Sequence, residues 1–321
     1  MENEFTVVLS EPSIIQAICG TNDNNIKLIE NYLGLSVFAK GNEISISTSD
    51  ESLRQKFKFI IDRLSDEVSD NPFCGPEVIE SILNNGISYS SIDDNFDLSR
   101  FSISIPSSNK KIYPKTKNQG KLVEAFRKND LIFATGPAGS GKTFLAVAES
   151  LRLLLSHKVN SIILTRPIVE AGENLGFLPG ALEDKINPYL RPLYDSMNLC
   201  INQEIVKKLT ENGIIEVAPL AYMRGRTLNN AAVILDEAQN ATCTQMKMFL
   251  TRLGENSKIF VTGDVTQIDL PKKIPSGLVE ALKILKGIDG ITIMQMEQTD
   301  VVRSPLVKRI VEAYENYTTE Q

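Results

Sequence analysis

The octapeptide at residues 136–143, GPAGSGKT, stands between an apolar run at residues 131–135 and a helical segment predicted at residues 143–155. In this strand–loop–helix setting, the pattern G-x-x-x-x-G-K-[ST] turns backbone N–H groups and the positive end of the helix toward a phosphate. A glycine-rich turn with a chance lysine is the alternative, and the full match in its setting disfavours it. We therefore predict that the whole octapeptide binds a nucleotide: Gly136, Pro137, Ala138, Gly139, Ser140, Gly141, Lys142 and Thr143.

The segment VILDEAQN, residues 233–240, ends an apolar strand with two adjacent carboxylates. With the phosphate loop present, we predict that Lys142 reaches the β and γ phosphates and that Thr143 and Asp236 hold Mg²⁺. Glu237 would then polarise the water that attacks the γ-phosphate. Adjacent side chains alternate along a strand, but where the strand ends both can turn toward the ligand. A helix N-cap followed by a first-turn acid is the alternative.

A third strand end repeats this pattern. The run IFVTGD, residues 259–264, places Thr262 and Asp264 where a sensor of the γ-phosphate or of the attacking water would lie, and Gln267 follows. An ordinary turn residue is the alternative for Asp264. We include Asp264 among the predicted catalytic residues.

Strands and helices alternate after residue 113. The candidate strands are short, nearly continuous apolar runs at residues 131–135, 161–165, 214–218, 232–236, 259–262 and 291–296. The candidate helices lie at residues 143–155, 182–197, 201–209, 244–253 and 277–285. This alternation predicts an α/β fold with a parallel sheet that is buried on both faces and binds its ligand beyond the carboxyl ends of the strands.

Composition limits the class of protein. The chain has 321 residues, 42% apolar and 23% charged, which is typical of a globular protein with more than one domain. No apolar stretch approaches the ~20 residues that span a bilayer, and the acidic amino terminus is unlike a signal peptide. We therefore predict a cytoplasmic protein with no membrane partner. The four cysteines form no C-x-x-C pair, which disfavours a zinc site or a disulfide framework.

The charges are unevenly distributed along the chain. Residues 1–100 contain 7 Lys or Arg against 17 Asp or Glu, whereas residues 101–321 contain 27 against 23. The amino-terminal third is thus the poorer candidate for holding a polyanion, since phosphate binding depends on clustered cations. A better candidate, with a solvated linker as the alternative, is a group of five lysines: Lys110, Lys111, Lys115, Lys117 and Lys121.

We predict three regions. Residues 1–70 form a small α+β domain, residues 71–112 a linker rich in Ser, Asn, Asp and Pro, and residues 113–321 the nucleotide-binding domain. Within the first region a strand begins at Phe5, and Asp50 is suited to N-capping the last helix. The remaining elements predicted before residue 113 are helices at 25–33, 50–64 and 76–83 and strands at 35–39 and 43–47.

The carboxyl-terminal region resembles a known family. The resemblance covers roughly residues 113–317 and is carried by GPAGSGKT, LTRPIVEAGENLGFLPG, PYLRPLYD, IEVAPLAYMRGRTL, ILDEAQN, MKMFLTRLG, VTGDVTQIDLP and DVVRSPLVKRIVEAYE. These segments resemble the PhoH-family ATPases, which implies a RecA-like P-loop NTPase core similar to that of superfamily one helicases. The resemblance also implies links to RNA metabolism, RNA unwinding and, in bacteria, the endoribonuclease YbeY in ribosomal RNA maturation.

The same resemblance implies roles for individual residues. Gln239 corresponds to the helicase glutamine that couples the γ-phosphate to other elements, and Gln119, in KTKNQ, to a glutamine that reads the adenine edge. The absence of an N-K-x-D guanine-reading motif downstream of the loop independently favours ATP over GTP. The segment LTRP, residues 164–167, resembles the helicase segment that contacts the nucleic-acid backbone.

The resemblance also points to an arginine that neutralises charge in the transition state. Arg303 in DVVRSP is the candidate, with Arg224 and Arg226 as competitors and surface salt bridges as the alternative for all three. The family more usually has histidine where this chain has Ser304. This departure puts in question how the arginine is oriented or how nucleic acid is contacted.

The amino-terminal domain is similar, more loosely, to the KH-like domain of the same family. The segment GTND, residues 20–23, lacks the second glycine of the RNA-clamping G-x-x-G motif. RNA binding and a docking or assembly role therefore remain alternatives for this domain.

The motifs predict an Mg²⁺-dependent ATPase, and the resemblance implies that its hydrolysis drives RNA binding or remodelling linked to ribosomal RNA maturation. Helicases work between two RecA-like cores, and this chain has one, so we expect a homo-oligomeric ring such as a hexamer, or a partner that completes the site. The alternatives are a nucleotide-gated scaffold for a ribonuclease or ribosome precursor, with slow turnover, and a small-molecule kinase.

Overall fold

The computed structural model describes residues 4–70, 98–106, 110–168 and 182–302, together with 75, 78, 79, 82, 83 and 310. The chain divides into two compact units, one of Met1–Ser102 with Tyr113–Lys117 and the other of Ile103–Ile112 with Asn118–Gln321. Half of the predicted helix at 76–83 lies outside the described residues, and the other half, residues 78, 79, 82 and 83, is helical. None of the helices in the described ranges is long and apolar enough to cross a membrane.

The first unit contains a three-stranded antiparallel sheet in the order β1-β3-β2. Its elements are β1 (Glu4–Val8), α1 (Pro12–Cys19), α2 (Asn24–Leu33), β2 (Val37–Lys40), β3 (Glu43–Ser47) and α3 (Glu51–Asp70). The predicted cap is confirmed, because Asp50 Oδ1 accepts a hydrogen bond from Ser52 N at 2.8 Å. The sequence analysis missed helix α1, although Pro12 at its first position is a typical start signal.

The second unit begins with an antiparallel strand pair, β4 (Ile103–Ile105) and β5 (Lys110–Ile112), followed by α4 (Lys117–Lys128). The pair lies in the stretch predicted as a linker, and α4 was not predicted. The elements that follow are β6 (Leu131–Thr135), α5 (Lys142–Leu155), β7 (Ser161–Arg166), α6 (Leu182–Cys200), α7 (Gln203–Glu211), β8 (Ile215–Pro219), β9 (Ala231–Leu235), α8 (Cys243–Leu250), β10 (Lys258–Gly263), α9 (Gly277–Ile284) and β11 (Ile291–Gln295).

Strands β6 to β11 form one parallel sheet in the order β11-β6-β10-β9-β7-β8. Flanking helices complete the architecture, which confirms the predicted α/β fold. Every residue of β6 and β9 is buried, as expected of strands covered on both faces. In the register, Thr135 lies opposite Gly263, and Leu235 lies opposite both Val261 and Thr165. The carboxyl ends of β6, β7, β9 and β10 therefore meet at one edge of the sheet.

Candidate nucleotide-binding site

The phosphate loop leaves β6 through a glycine that no other residue could replace without a shift. Gly136 has φ 134°, and a Cβ added there would lie 2.4 Å from the carbonyl oxygen of Met296. Backbone hydrogen bonds hold both sides of this approach: Gly136 N donates to Gly263 O at 3.1 Å, and Met296 N donates to Thr135 O at 2.7 Å. Packing against β10 and β11 therefore sets the path of the loop.

Lys142 opens α5 and folds back over the loop. Its Nζ donates to the carbonyl oxygens of Gly136 and Pro137, both at 2.7 Å, and to Ser140 Oγ at 3.1 Å. Burial lowers the pKa of Lys142, while the carboxylates of Asp264, Glu237 and Asp236 act in the opposite direction. The ammonium group is thus a buried cation at the amino-terminal end of α5, a position that favours a bound phosphate.

Three oxygen-bearing side chains meet beside the loop. Thr143 Oγ1 and Thr262 Oγ1 donate to Asp236 Oδ1 at 2.7 and 2.8 Å, and the two hydroxyl oxygens are 3.4 Å apart. Hydroxyl and carboxylate oxygens are the ligands that Mg²⁺ takes when phosphates and water complete its coordination. Thr143 and Asp236 therefore fit the predicted pair of ligands for one Mg²⁺. The buried hydroxyl of Thr262 orients the carboxylate of Asp236 through its hydrogen bond to Oδ1.

Backbone geometry explains how both carboxylates can face the ligand. Strand β9 ends at Leu235, and Glu237 has φ 50° and ψ 40°, in the left-handed region that non-glycine residues rarely adopt. This turn breaks the strand alternation, so Asp236 and Glu237 line the same cavity. Such a conformation costs roughly 1–3 kcal/mol and is typical of functional positions.

Gln239 lies behind the cavity at the centre of a hydrogen-bond network. Its side-chain oxygen accepts from Asp264 N at 3.0 Å, and Nε2 donates to Glu237 Oε2 at 2.5 Å and to Gln267 O at 3.1 Å. It is 1% exposed, and a Cβ added to Gly263 would lie 2.8 Å from its Oε1. Gln239 therefore joins the segment after β9 to the loop after β10.

Asp264 makes a turn and also faces the cavity. Its Oδ1 accepts from Thr266 N at 2.9 Å and Thr266 Oγ1 at 2.6 Å, and its Oδ2 accepts from Gln267 Nε2 at 2.7 Å. Burial alone would raise the pKa of Asp264, but the hydrogen bonds from Thr266 and Gln267 and the charge of Lys142 outweigh burial and lower it. The turn role and the site role, which the sequence analysis treated as alternatives, thus coexist in one residue.

The lowered pKa of Asp264 predicts a pH-dependent contribution to stability. The contribution is present above the unfolded-state pKa of about 3.9 and is lost as the pH falls through the lower folded-state value. We expect Asp264→Asn to lower the free energy of unfolding by about 1–3 kcal/mol at pH 7, and this deficit should shrink below about pH 4. The measurement is urea unfolding at pH 7 and at a pH below about 4. Asp289→Asn, at an exposed aspartate, is the control. A deficit that stays constant between them would contradict the assignment.

Eight of the fourteen predicted site residues line a cavity of about 270 Å³ at the carboxyl edge of the sheet. The residues that matter for chemistry in its lining are Lys142, Thr143, Asp236, Glu237, Asp264 and Gln267. One cation, two metal-ligand candidates and one half-exposed carboxylate thus share a single open space. That set can hold a phosphate chain and a water molecule together.

Comparisons with known proteins agree with this geometry. Residues 111–315 match a family profile described as PhoH-like protein. Over 310 residues, the chain is 47% identical to a PhoH-like protein of Bacillus subtilis strain 168, covering 96% of each chain. The chain belongs to the PhoH family. It is also 41% identical over 310 residues to a PhoH-like protein of a Synechocystis species, covering 97% of this chain and 94% of that protein. Protein PhoH of Escherichia coli K12 is 46% identical over 209 residues, covering 62% of this chain and 57% of that protein.

Membership of the PhoH family confirms the resemblance inferred from the sequence motifs. The family, the parallel sheet and the phosphate loop together imply that the chain binds a nucleotide. Among the residues singled out by the PhoH resemblance, Gln119 lies on α4 and its Nε2 donates to Ser140 O at 3.1 Å. It also packs close to Gly141, where a Cβ would lie 3.1 Å from Nε2. The structure therefore puts Gln119 against the phosphate loop, and its reading of a base stays a prediction.

The arginines singled out by the PhoH resemblance have different surroundings. Arg303 and Ser304 lie outside the described residues. The guanidinium of Arg226 donates to Glu216 Oε1 and Oε2 at 2.6 and 2.7 Å, and this pairing raises the pKa of Arg226. Arg226 thus forms an ion pair with Glu216, which was the alternative to a role in the transition state. Arg224 is exposed.

The predicted lysine group is divided between the two units. Lys110, Lys111 and Lys121 belong to the second unit, and the other two belong to the first. Lys110 Nζ donates to Leu199 O at 2.6 Å. Neither unit carries the whole group, so its binding of RNA stays a prediction.

Three contacts near the loop were missed by sequence reasoning. Asn118 Nδ2 donates to Asp300 Oδ2 at 2.9 Å, which also accepts from Glu297 N at 2.7 Å. Val302 N donates to Gly139 O at 3.1 Å. The contact between Glu297 and Asp300 had a local signal, the E-x-x-D spacing of a capping box. The other two contacts had none, because their partners lie far apart in the chain. The segment before Arg303 is therefore fastened to the phosphate loop.

Proposed function

We propose that this PhoH-family protein hydrolyses ATP with Mg²⁺ and couples hydrolysis to RNA binding or remodelling. The observation that carries the ATPase part is the placement of Glu237 beside the Thr143–Asp236 pair in the cavity that also receives Lys142. Nucleoside triphosphate hydrolysis requires a carboxylate that activates water, ligands for Mg²⁺ and a cation that binds phosphate.

In the proposed mechanism each side chain has one task. Lys142 would bind phosphate oxygens in place of its present carbonyl partners. Thr143 and Asp236 would hold Mg²⁺, which would neutralise charge on the phosphates. Glu237 would accept a hydrogen bond and then the proton of the attacking water. The lone pair of that water forms the new bond to the γ-phosphorus as the bond to the β–γ bridging oxygen breaks, and ADP leaves with that oxygen. Gln239 transmits the state of Glu237 to the Asp264 loop through hydrogen bonds already in place.

The RNA-linked role rests on the family resemblance, and the choice of ATP rests on that resemblance and on the absence of an N-K-x-D motif. Gln119 is proposed to read adenine, and residues 164–167 to contact nucleic-acid backbone. A role in ribosomal RNA maturation, cooperation with the endoribonuclease YbeY, assembly into a homo-oligomeric ring such as a hexamer and a cytoplasmic location extend the same proposal. A slow nucleotide-gated scaffold for a ribonuclease or ribosome precursor remains the runner-up.

A product assay tests the proposal. ATP labelled in the γ-phosphate is incubated with protein, Mg²⁺ and a panel of RNA and DNA at several salt concentrations, because polyanion binding is strongly salt-dependent. Free labelled phosphate, released faster with RNA, is the expected result. A labelled acceptor molecule would instead identify a kinase. Hydrolysis that RNA does not change would remove RNA coupling and favour the scaffold.

The buried hydroxyl of Thr262 gives a test of the two proposed Mg²⁺ ligands, Thr143 and Asp236. We expect Thr262→Val to raise the Mg²⁺ concentration for half-maximal hydrolysis by roughly 10- to 100-fold, since groups that orient a metal ligand have effects of that size. The measurement is an Mg²⁺ titration of phosphate release. Thr251→Val, which removes an exposed hydroxyl, is the matched control. An unchanged Mg²⁺ requirement in Thr262→Val would show that Asp236 is not oriented by this bond.

A further inference from the structure

An ion pair and a hydrogen bond contact the carboxylate of Glu237, one at each oxygen. Arg166 Nη2 lies 3.5 Å from Oε1, and Gln239 Nε2 donates to Oε2 at 2.5 Å. The left-handed backbone of Glu237 directs the side chain toward these partners and the cavity. A carboxylate held in this way is oriented by protein groups, whereas a general base must orient itself on its water.

The two donors differ in their access to solvent. Gln239 is buried, and Asp264 N fixes the direction of its amide. Arg166 is the last residue of β7, next to the end of β9, and its side chain is 23% exposed. The backbones of the two strand ends are joined, since Asp236 N donates to Thr165 O at 2.9 Å. Of the two partners, Arg166 is the one that a ligand arriving from solvent can take.

The chemistry of Arg166 indicates which ligand would compete for it. A guanidinium forms bidentate hydrogen bonds with a phosphate, which makes a phosphodiester a stronger partner than a single carboxylate oxygen at 3.5 Å. The ion pair with Glu237 is partly exposed, so exchanging it has only a small energetic cost. A polynucleotide backbone at this strand end would therefore free Oε1 of Glu237.

We propose that Arg166 is a positioning residue that restrains Glu237 until the phosphodiester backbone of a polynucleotide binds its guanidinium. The restraint makes hydrolysis slow without polynucleotide and faster with it. The inference rests on the proposed ATPase function, because a restrained base has meaning only where that base activates water.

The test measures steady-state hydrolysis by the full chain without polynucleotide. Arg166→Ala is expected to raise kcat roughly two- to fivefold, the range that a partly exposed ion pair supports, with the KM for ATP unchanged. Arg166→Lys keeps a cation near Oε1 and should stay close to wild type. The gain in Arg166→Ala should also shrink as salt rises, because salt screens the restraint in the wild type.

Matched controls separate restraint from other effects. Lys207→Ala removes one cation from an exposed ion pair with Glu211 and should leave kcat unchanged. If Arg166→Ala damages the fold, kcat should fall. If Arg166 binds the nucleotide, the KM for ATP should rise in Arg166→Ala. Either result overturns the proposal. An unchanged kcat in Arg166→Ala, with wild-type hydrolysis intact, would also overturn it while leaving the ATPase function standing. Absence of hydrolysis in wild type and variants alike would instead contradict the ATPase function itself.

Polynucleotide stimulation completes the test. Poly(U) RNA should accelerate the wild type and have little further effect on Arg166→Ala, which already lacks the restraint. Inorganic polyphosphate serves as a polyanion without nucleosides and should stimulate less. Equal stimulation by polyphosphate, or full poly(U) stimulation of Arg166→Ala, would overturn the assignment of the nucleic-acid backbone as the competing ligand.

Discussion

Glu237→Gln is expected to lower kcat for ATP hydrolysis by about 10²- to 10⁴-fold, the usual contribution of a positioned general base. Glutamine has almost the same shape but cannot accept the proton of the attacking water. Lys142, Thr143 and Asp236 are unaltered, so Mg²⁺ and ATP should bind with little change. Phosphate release under saturating ATP measures the first quantity, and equilibrium binding of labelled ATP measures the second.

The control for this variant is Glu211→Gln, which neutralises an acid in an exposed ion pair far along the chain from VILDEAQN. It should keep wild-type kcat. Glu237→Gln with full activity would remove Glu237 from the mechanism. A loss of ATP binding that matches the loss of kcat would mean that Glu237 supports the nucleotide rather than the water.

Gly136→Ala is expected to destabilise the second unit by roughly 2–5 kcal/mol and to abolish nucleotide binding. The added methyl group would lie 2.4 Å from Met296 O, and the backbone on both sides is held by hydrogen bonds to neighbouring strands. Relief would therefore require the loop to leave β10 and β11. Urea unfolding and binding of labelled ATP are the measurements.

Gly287→Ala is the matched control for the backbone effect. Gly287 also has a positive φ, 84°, but a Cβ added there would meet no atom of the described residues within 4 Å. The free energy of unfolding of Gly287→Ala should fall by only about 1–2 kcal/mol, the cost of a left-handed backbone at a non-glycine residue, and nucleotide binding should be kept. Equal losses in the two variants would mean that the Met296 contact does not constrain the loop.

The sequence located the elements of the second unit because its strands are continuous apolar runs and its phosphate loop is a specific pattern. The predicted strand at 131–135 coincides with β6, and the other strand bounds differ by a residue or so. Strands β4 and β5 were missed because three-residue strands among Ser, Asn and Lys carry no periodicity. Helix α4 was missed because it begins with KNQG, three polar residues and a glycine, which do not signal a helix start.

The site was less predictable wherever a contact joins distant parts of the chain. The position of Asp236 and Glu237 after a strand was visible, but the left-handed turn at Glu237 was not, since no local residue such as glycine signals it. The partnership of Gln239 with Gln267 and that of Arg166 with Glu237 depend on the neighbouring ends of β7, β9 and β10. Strand order decides these contacts, and a single sequence does not reveal it.

In the proposed reaction, water attacks the γ-phosphate of ATP in the cavity that contains Glu237. Hydrolysis in water enriched in ¹⁸O, followed by mass analysis of the released phosphate, tests this directly. We expect at least one solvent oxygen in each phosphate that is released in the presence of Mg²⁺, and we expect almost no released phosphate with Glu237→Gln. Phosphate without solvent oxygen, or transfer of the γ-phosphate to another molecule, would contradict the proposed reaction.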